Sequence, residues 1–354
     1  MFYQVMSFKS PGATGLATRF PDHVVCTKSS TGLAKLLPDH IVSLILRFLP
    51  LRNLLNYGNT SICNRCYVQN LVRKKIHEEI LPFFEEPQRL QHLLLHTRSV
   101  ISGSVSLAVL ISRELRNWRP FNLDIYAVDK AVPKFFDYLV KEGYRVVGER
   151  DITLYETNRC EALIDVVNFA TLNGKTINLM IVGAKSSLTA VFKTYGSHLT
   201  NAITGTGIFC AYPCHTLEHL VIMNNARVPN FFYSAPDRFQ KSVIKYTKRG
   251  FRFEPNHLLA LSMDHKCKHS KCCPHTRRNI FDIGCLVICI VDVGPLNVFV
   301  PNSMQTIWNG HYRNVWAFGG DSCKPDVELP YAVGGFAQEN KIRYVFAFRD
   351  CFYN

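Results

Sequence analysis

Two short stretches carry residue types that could do phosphate and metal chemistry. In the first, Ser102-Gly103-Ser104 separates the apolar pair Val100-Ile101 from an amphipathic run, Val105 to Leu115, that predicts a helix. Backbone N–H groups at a helix start, beside a small hydroxyl, suit a phosphate. In the second, Asn122 and Asp124 stand two apart in an apolar stretch from Phe121 to Ala127. Side chains alternate along a strand, so both point to one face. Two carboxylates so placed would hold magnesium ions, which take hard oxygen ligands and bridge nucleotide phosphates. Here the pair is one amide and one acid. The bland alternative for Asp124 is a cap on the neighbouring turn through Ser104.

A third cluster lies downstream. Cys267, Cys272, Cys273 and His275, followed by Cys285, offer thiolate and imidazole ligands for zinc, which takes four in a tetrahedron. No paired Cys-x-x-Cys repeat accompanies them, so a basic loop with incidental thiols is the other reading. Otherwise the 13 cysteines are scattered, and free thiols are the default expectation. Ser187 and Cys210 show no catalytic partner in the sequence, and Trp308 and Trp316 read as an aromatic core.

The elements that must position these residues follow from patterning. Residues 1–32 are polar and rich in Gly, Ser, Thr and Pro, and are expected to be a mobile tail. Residues 33–82 predict a helical module. Ile41, Leu44, Ile45, Phe48 and Leu49 recur at helical spacing, Pro50 stops that helix, and a second begins near Leu54. Pro82 and Pro87 bracket a boundary. Residues 88–225 alternate helix and strand patterns, and residues 226–354 form a basic, Cys-containing region of short strands and loops. The expected class is α+β.

Charge narrows the partners. The chain has a net charge of +14, and the stretch Arg238 to Arg278 holds eleven Lys/Arg against two acids, a net +9. Such a segment could meet nucleic acid or form a solvated face. The longest apolar run, Cys285 to Val291, is too short to span a bilayer and reads as a buried strand, so no membrane is expected. No secretory signal is expected at the N-terminus. The expected setting is intracellular, cytoplasmic or nuclear.

The helical module resembles an F-box. The residues that carry the resemblance are Leu37-Pro38, Ile41, Ile45, Leu49-Pro50 and Leu54-Leu55, within residues 36–72. The stretch from Gly58 to Cys66 departs from the family's usual ending. The resemblance implies docking on the Skp-type adaptor of a cullin–RING ubiquitin ligase, with Leu37, Pro38, Ile41, Ile45, Leu49 and Pro50 as contact residues.

The order of Gly-Ser turn, helix, acid-bearing strand, helix and hairpin is similar to the nucleotidyltransferase fold. It also resembles a group of fungal proteins, common in mushroom-forming species, that join an F-box-like N-terminus to such a domain. Ser102-Gly103-Ser104, Leu123-Asp124-Ile125-Tyr126, Gly143-Tyr144 and Tyr212-Pro213 carry that likeness, over roughly residues 95–225. The resemblance implies a third acid on a later strand. That strand offers Asn178, with Asp165 across the Asn173-Gly174 hairpin as the alternative. A two-residue turn there would pair Asn178 with Phe169 and leave Asp165 on the same face, roughly 13 Å away. Gly103, Ser104, Asn122, Asp124, Asp165 and Asn178 are therefore candidates for a vestigial nucleotide site with too few carboxylates for magnesium.

The leading expectation is a non-catalytic interaction protein that joins a ligase adaptor to an unknown target and needs no cofactor. The rivals are a divergent metal-dependent nucleotidyltransferase and a nucleic-acid-binding protein using residues 238–278.

Overall fold

The computed structural model describes residues 37–150, 162–224, 237–254, 276–280, 282, 284–290 and 315–316. The expected tail, 1–32, and Cys267, Cys272, Cys273 and His275 lie outside them.

Prolines set the first two helices. Pro38 and Pro50 are the N-caps of α1 (Asp39–Arg47) and α2 (Leu51–Gly58), with φ of −58° and −52°. Their rings fix that angle in advance. The second helix thus begins at Leu51, directly after Pro50, rather than at Leu54. α3 (Ile62–Ile80) is capped by Ser61, whose Oγ accepts from the Asn64 N–H at 3.1 Å. α4 (Pro87–Thr97) starts on a proline and ends where Arg98 turns left-handed.

Then come β1 (Val100–Ser102), α5 (Ser104–Leu110), β2 (Asn122–Val128), α6 (Val132–Lys141), β3 (Arg145–Arg150), β4 (Leu163–Ala170) and β5 (Thr176–Val182). After α7 (Leu188–Val191) follow β6 (Asn201–Thr204), β7 (Gly207–Cys210), α8 (Pro213–Leu217) and β8 (Leu220–Ile222). The last described elements are α9 (Asp237–Thr247), β9 (Arg252–Glu254), β10 (Arg278–Asn279), β11 (Leu286–Cys289) and β12 (Val315–Trp316). The helix α5 is shorter than its pattern predicts. It stops at Leu110, and Ser112 is drawn to the N-terminal helices, donating to Leu49 O at 3.3 Å and accepting from Lys75 Nζ at 2.8 Å.

The protein is α+β, built on an eight-stranded mixed sheet ordered β11-β7-β6-β1-β2-β5-β4-β3. β2 and β5 run parallel, and the other neighbours are antiparallel. Two small sheets pair β8 with β9 and β10 with β12. Alternation along the strands divides the large sheet into two faces. Leu123, Ile125, Leu179, Phe169, Ile203 and Ile288 join a core that extends without a break through Phe84 and Ile76 to Leu54 and Leu51. The N-terminal helices therefore share a core with the sheet. Arg73 donates through Nε to Ile290 O at 3.1 Å, and Tyr144 donates to Phe83 O at 2.7 Å. The stretch between Pro82 and Pro87 accordingly buries Phe83 and Phe84.

The opposite face holds Val100, Ala202, Phe209 and Tyr212, with Trp316 stacked on Phe192 at 3.9 Å. Beside it, Tyr246 of α9 packs with Leu107, Val221 and Phe251. Among the described residues, no helix is long and apolar enough to cross a membrane.

Candidate functional site

The two-apart spacing of Asn122 and Asp124 places both on the sheet face opposite Leu123 and Ile125. Parallel pairing sets Asp124 beside Asn178, and antiparallel pairing sets Ser102 on its other side. The Asn122 and Asn178 amides each donate through Nδ2 to Asp124 Oδ1 at 2.6 Å. One carboxylate oxygen is thus held by two side-chain amides, and the expected Ser104 cap does not form. Ser104 Oγ is buried with no hydrogen-bond partner among the described residues. Gly103, at φ 72°, brings its backbone against the carboxylate, where a Cβ would collide with Asp124 Oδ2. That collision and the positive φ together explain the glycine.

The hairpin differs by one residue from its expected register. Thr171 and Lys175 close a three-residue loop, with Thr171 N–H donating to Lys175 O at 3.0 Å and Gly174 at φ 77°. A left-handed glycine in the last loop position is the usual geometry of that loop length. Asn178 therefore pairs with Asn168 instead of Phe169, and Asp165 pairs with Ile181. A slip of one residue moves a side chain to the other face. Asp165 thus leaves the face of Asn178 and accepts from the Val166 N–H at 2.6 Å, while Asn168 enters the site.

These residues line a cavity of about 490 Å³ whose walls include Gly103, Asn122, Asp124, Asn168, Asn178 and Tyr126. Its far side is α9, which contributes Lys241, Ser242, Lys245 and Tyr246. The helix is anchored by the Tyr195 hydroxyl, 2.7 Å from Ser242 Oγ, and by rings around the buried His198, including Tyr246, Phe251 and Phe253. The Lys245 ammonium is held below the ordinary lysine range by lost hydration and by Arg249, while Asp124 acts in the opposite direction.

The donor set does not fit a two-magnesium centre. Among the described lining residues it has one carboxylate, two amides that turn their nitrogens toward that carboxylate, and two ammonium groups. Two magnesium ions add four positive charges, which call for clustered anionic oxygens.

Of the sequence candidates, Gly103, Asn122, Asp124 and Asn178 meet in the cavity. Ser104 and Asp165 do not line it. Asn168, Lys241 and Lys245 were missed. The signal for the lysines was their four-residue spacing within a segment read as a general basic patch. That segment divides: Arg249 lies over Trp118 at 4.2 Å, and the buried Arg278 pairs with Asp282 at 3.1 Å. Cys285 accepts from Arg278 at 3.3 Å and donates to Asn279 O at 3.4 Å. Burial pushes its thiol up to about 12, against the pull of Arg278. The four other proposed zinc ligands lie outside the described residues. Cys66, Cys210, Cys214, Cys285 and Cys289 are outside disulfides, whereas Cys63 is disulfide-bonded.

The α1 face is the second candidate surface. Leu37, Leu44, Ile45 and Phe48 are 41–58% exposed, Pro38 and Pro50 are exposed, and Ile41 and Leu49 are half-buried. No protein-family model, curated protein or solved structure matches the chain.

Proposed function

We propose that the protein is a non-catalytic interaction protein whose N-terminal helices dock on a Skp-type ubiquitin-ligase adaptor. The remainder of the chain engages a target protein. The observation that carries the reading is the apolar strip of α1. Leu44, Ile45 and Phe48 project into solvent at 52%, 49% and 58%, while Leu46, Leu51, Leu54 and Leu55 of the same hairpin are buried. A contiguous exposed apolar surface marks an interaction site more often than an isolated exposed leucine does. The strip runs from Leu37 to Phe48, next to Pro38 and Pro50, and Leu37, Pro38, Ile45 and Pro50 are among the positions at which the sequence resembles an F-box.

The cavity supports the non-catalytic half. Its lone described carboxylate is tied to two amides and faces a lysine helix, an arrangement opposed to metal-assisted nucleotide transfer. Co-elution of the purified protein with a Skp-type adaptor tests the docking. Wild type co-elutes, and Leu37→Ala with Pro38→Ala reduces the complex sharply, because few anchors dominate such interfaces. Absence of any complex with wild type overturns the reading.

A further inference from the structure

A donor set that does not fit magnesium has an electrostatic consequence. A site that needs magnesium is negative until the ions arrive. Here the described lining residues carry two ammonium groups, Lys241 and Lys245, against the carboxylate of Asp124, so the described part of the wall is net positive. The two lysines are four apart on α9 and thus share one side of the helix. Among the described residues, neither lysine makes an ion pair within 4.0 Å.

We propose that this cavity binds a metal-free phosphate ester, with Lys241 and Lys245 of α9 supplying the positive charge that a divalent ion would otherwise bring. Lysine is a point-charge phosphate binder that needs no fixed geometry. Phe121, 77% exposed on the cavity lining, offers a ring to a planar head group. The volume of about 490 Å³ falls within the range of small-ligand sites. A bound phosphate would also act on Lys245 as Asp124 does, favouring the charged form that lost hydration opposes.

The inference rests on the reading that the cavity has left metal chemistry, and the test separates the two. ATP is titrated calorimetrically into the full chain in EDTA, and then with magnesium. The expected result is binding in EDTA that magnesium weakens. Lys241→Ala and Lys245→Ala, both on an exposed helix side, should each weaken it by about tenfold. Asp124→Asn should tighten it or leave it unchanged, because that isosteric change removes a negative charge facing the phosphate. ATP binding that requires magnesium and is lost in Asp124→Asn overturns both the inference and the non-catalytic reading. No binding under either condition overturns the inference alone.

Discussion

Asp124 illustrates how neighbours decide what a carboxylate can do. The strand presents it beside the Gly103 turn, and one of its oxygens accepts from two side-chain amides. Gly103 is the sensitive neighbour, because any other residue must adopt φ near 72° and place a Cβ into the carboxylate. Gly103→Ala should lower stability by about 1–3 kcal/mol in denaturant unfolding, the usual cost of a strained left-handed residue. His198 supplies a pH-dependent case. It is fully buried among Tyr195, Tyr246, Phe251 and Phe253, and burial, aided by Arg249, lowers its pKa to about 3. The unfolded imidazole takes a proton near 6.5, so the contribution of neutral His198 is complete above that pH. It is lost as pH falls toward 3, on the order of 1.4 kcal/mol per pH unit. His198→Gln should flatten that part of the stability–pH curve, and an unchanged slope would show that the ring titrates normally.

At the scale of elements, exposed and buried positions of one helical hairpin should separate cleanly. Ile45→Asp with Phe48→Asp alters only exposed positions, one in α1 and one at its C-cap, and should change unfolding free energy by about 0.5 kcal/mol or less per site. Leu54→Ala empties a fully buried position in α2 and should cost about 2–5 kcal/mol. Both are read by denaturant unfolding. The elements near the site were largely legible. The period-two pattern gave β2, and the Gly-Ser turn gave the junction of β1 and α5. The hairpin was misplaced by one residue because Asn173-Gly174 fits both a two-residue turn and the end of a three-residue loop. That slip alone decided whether Asp165 or Asn168 joined the site. The role of α9 was hidden for a different reason. Its lysines lie more than sixty residues beyond Asn178, and only the tertiary fold brings them to Asp124.

At the scale of the molecule, patterning places a boundary at Pro82–Pro87, and Phe83 and Phe84 of that stretch join the cluster of buried residues that also holds Leu54 and Ile125. The sequence could not show this, because an apolar helix face does not name the surface that covers it. Heating or denaturant should therefore produce one transition in which the helices and the sheet unfold together, monitored by far-ultraviolet dichroism and tryptophan fluorescence. Two separated transitions would show independent units. A shared core also makes α1 a fixed projection from the sheet, so a partner docked there is held in a defined relation to the cavity face. The most direct test of this account is a calorimetric titration of a Skp-type adaptor into wild type and into the Ile45→Asp, Phe48→Asp variant. The account predicts saturable binding by the wild type that is lost in the equally stable variant, and equal binding by both, or none by either, would contradict it.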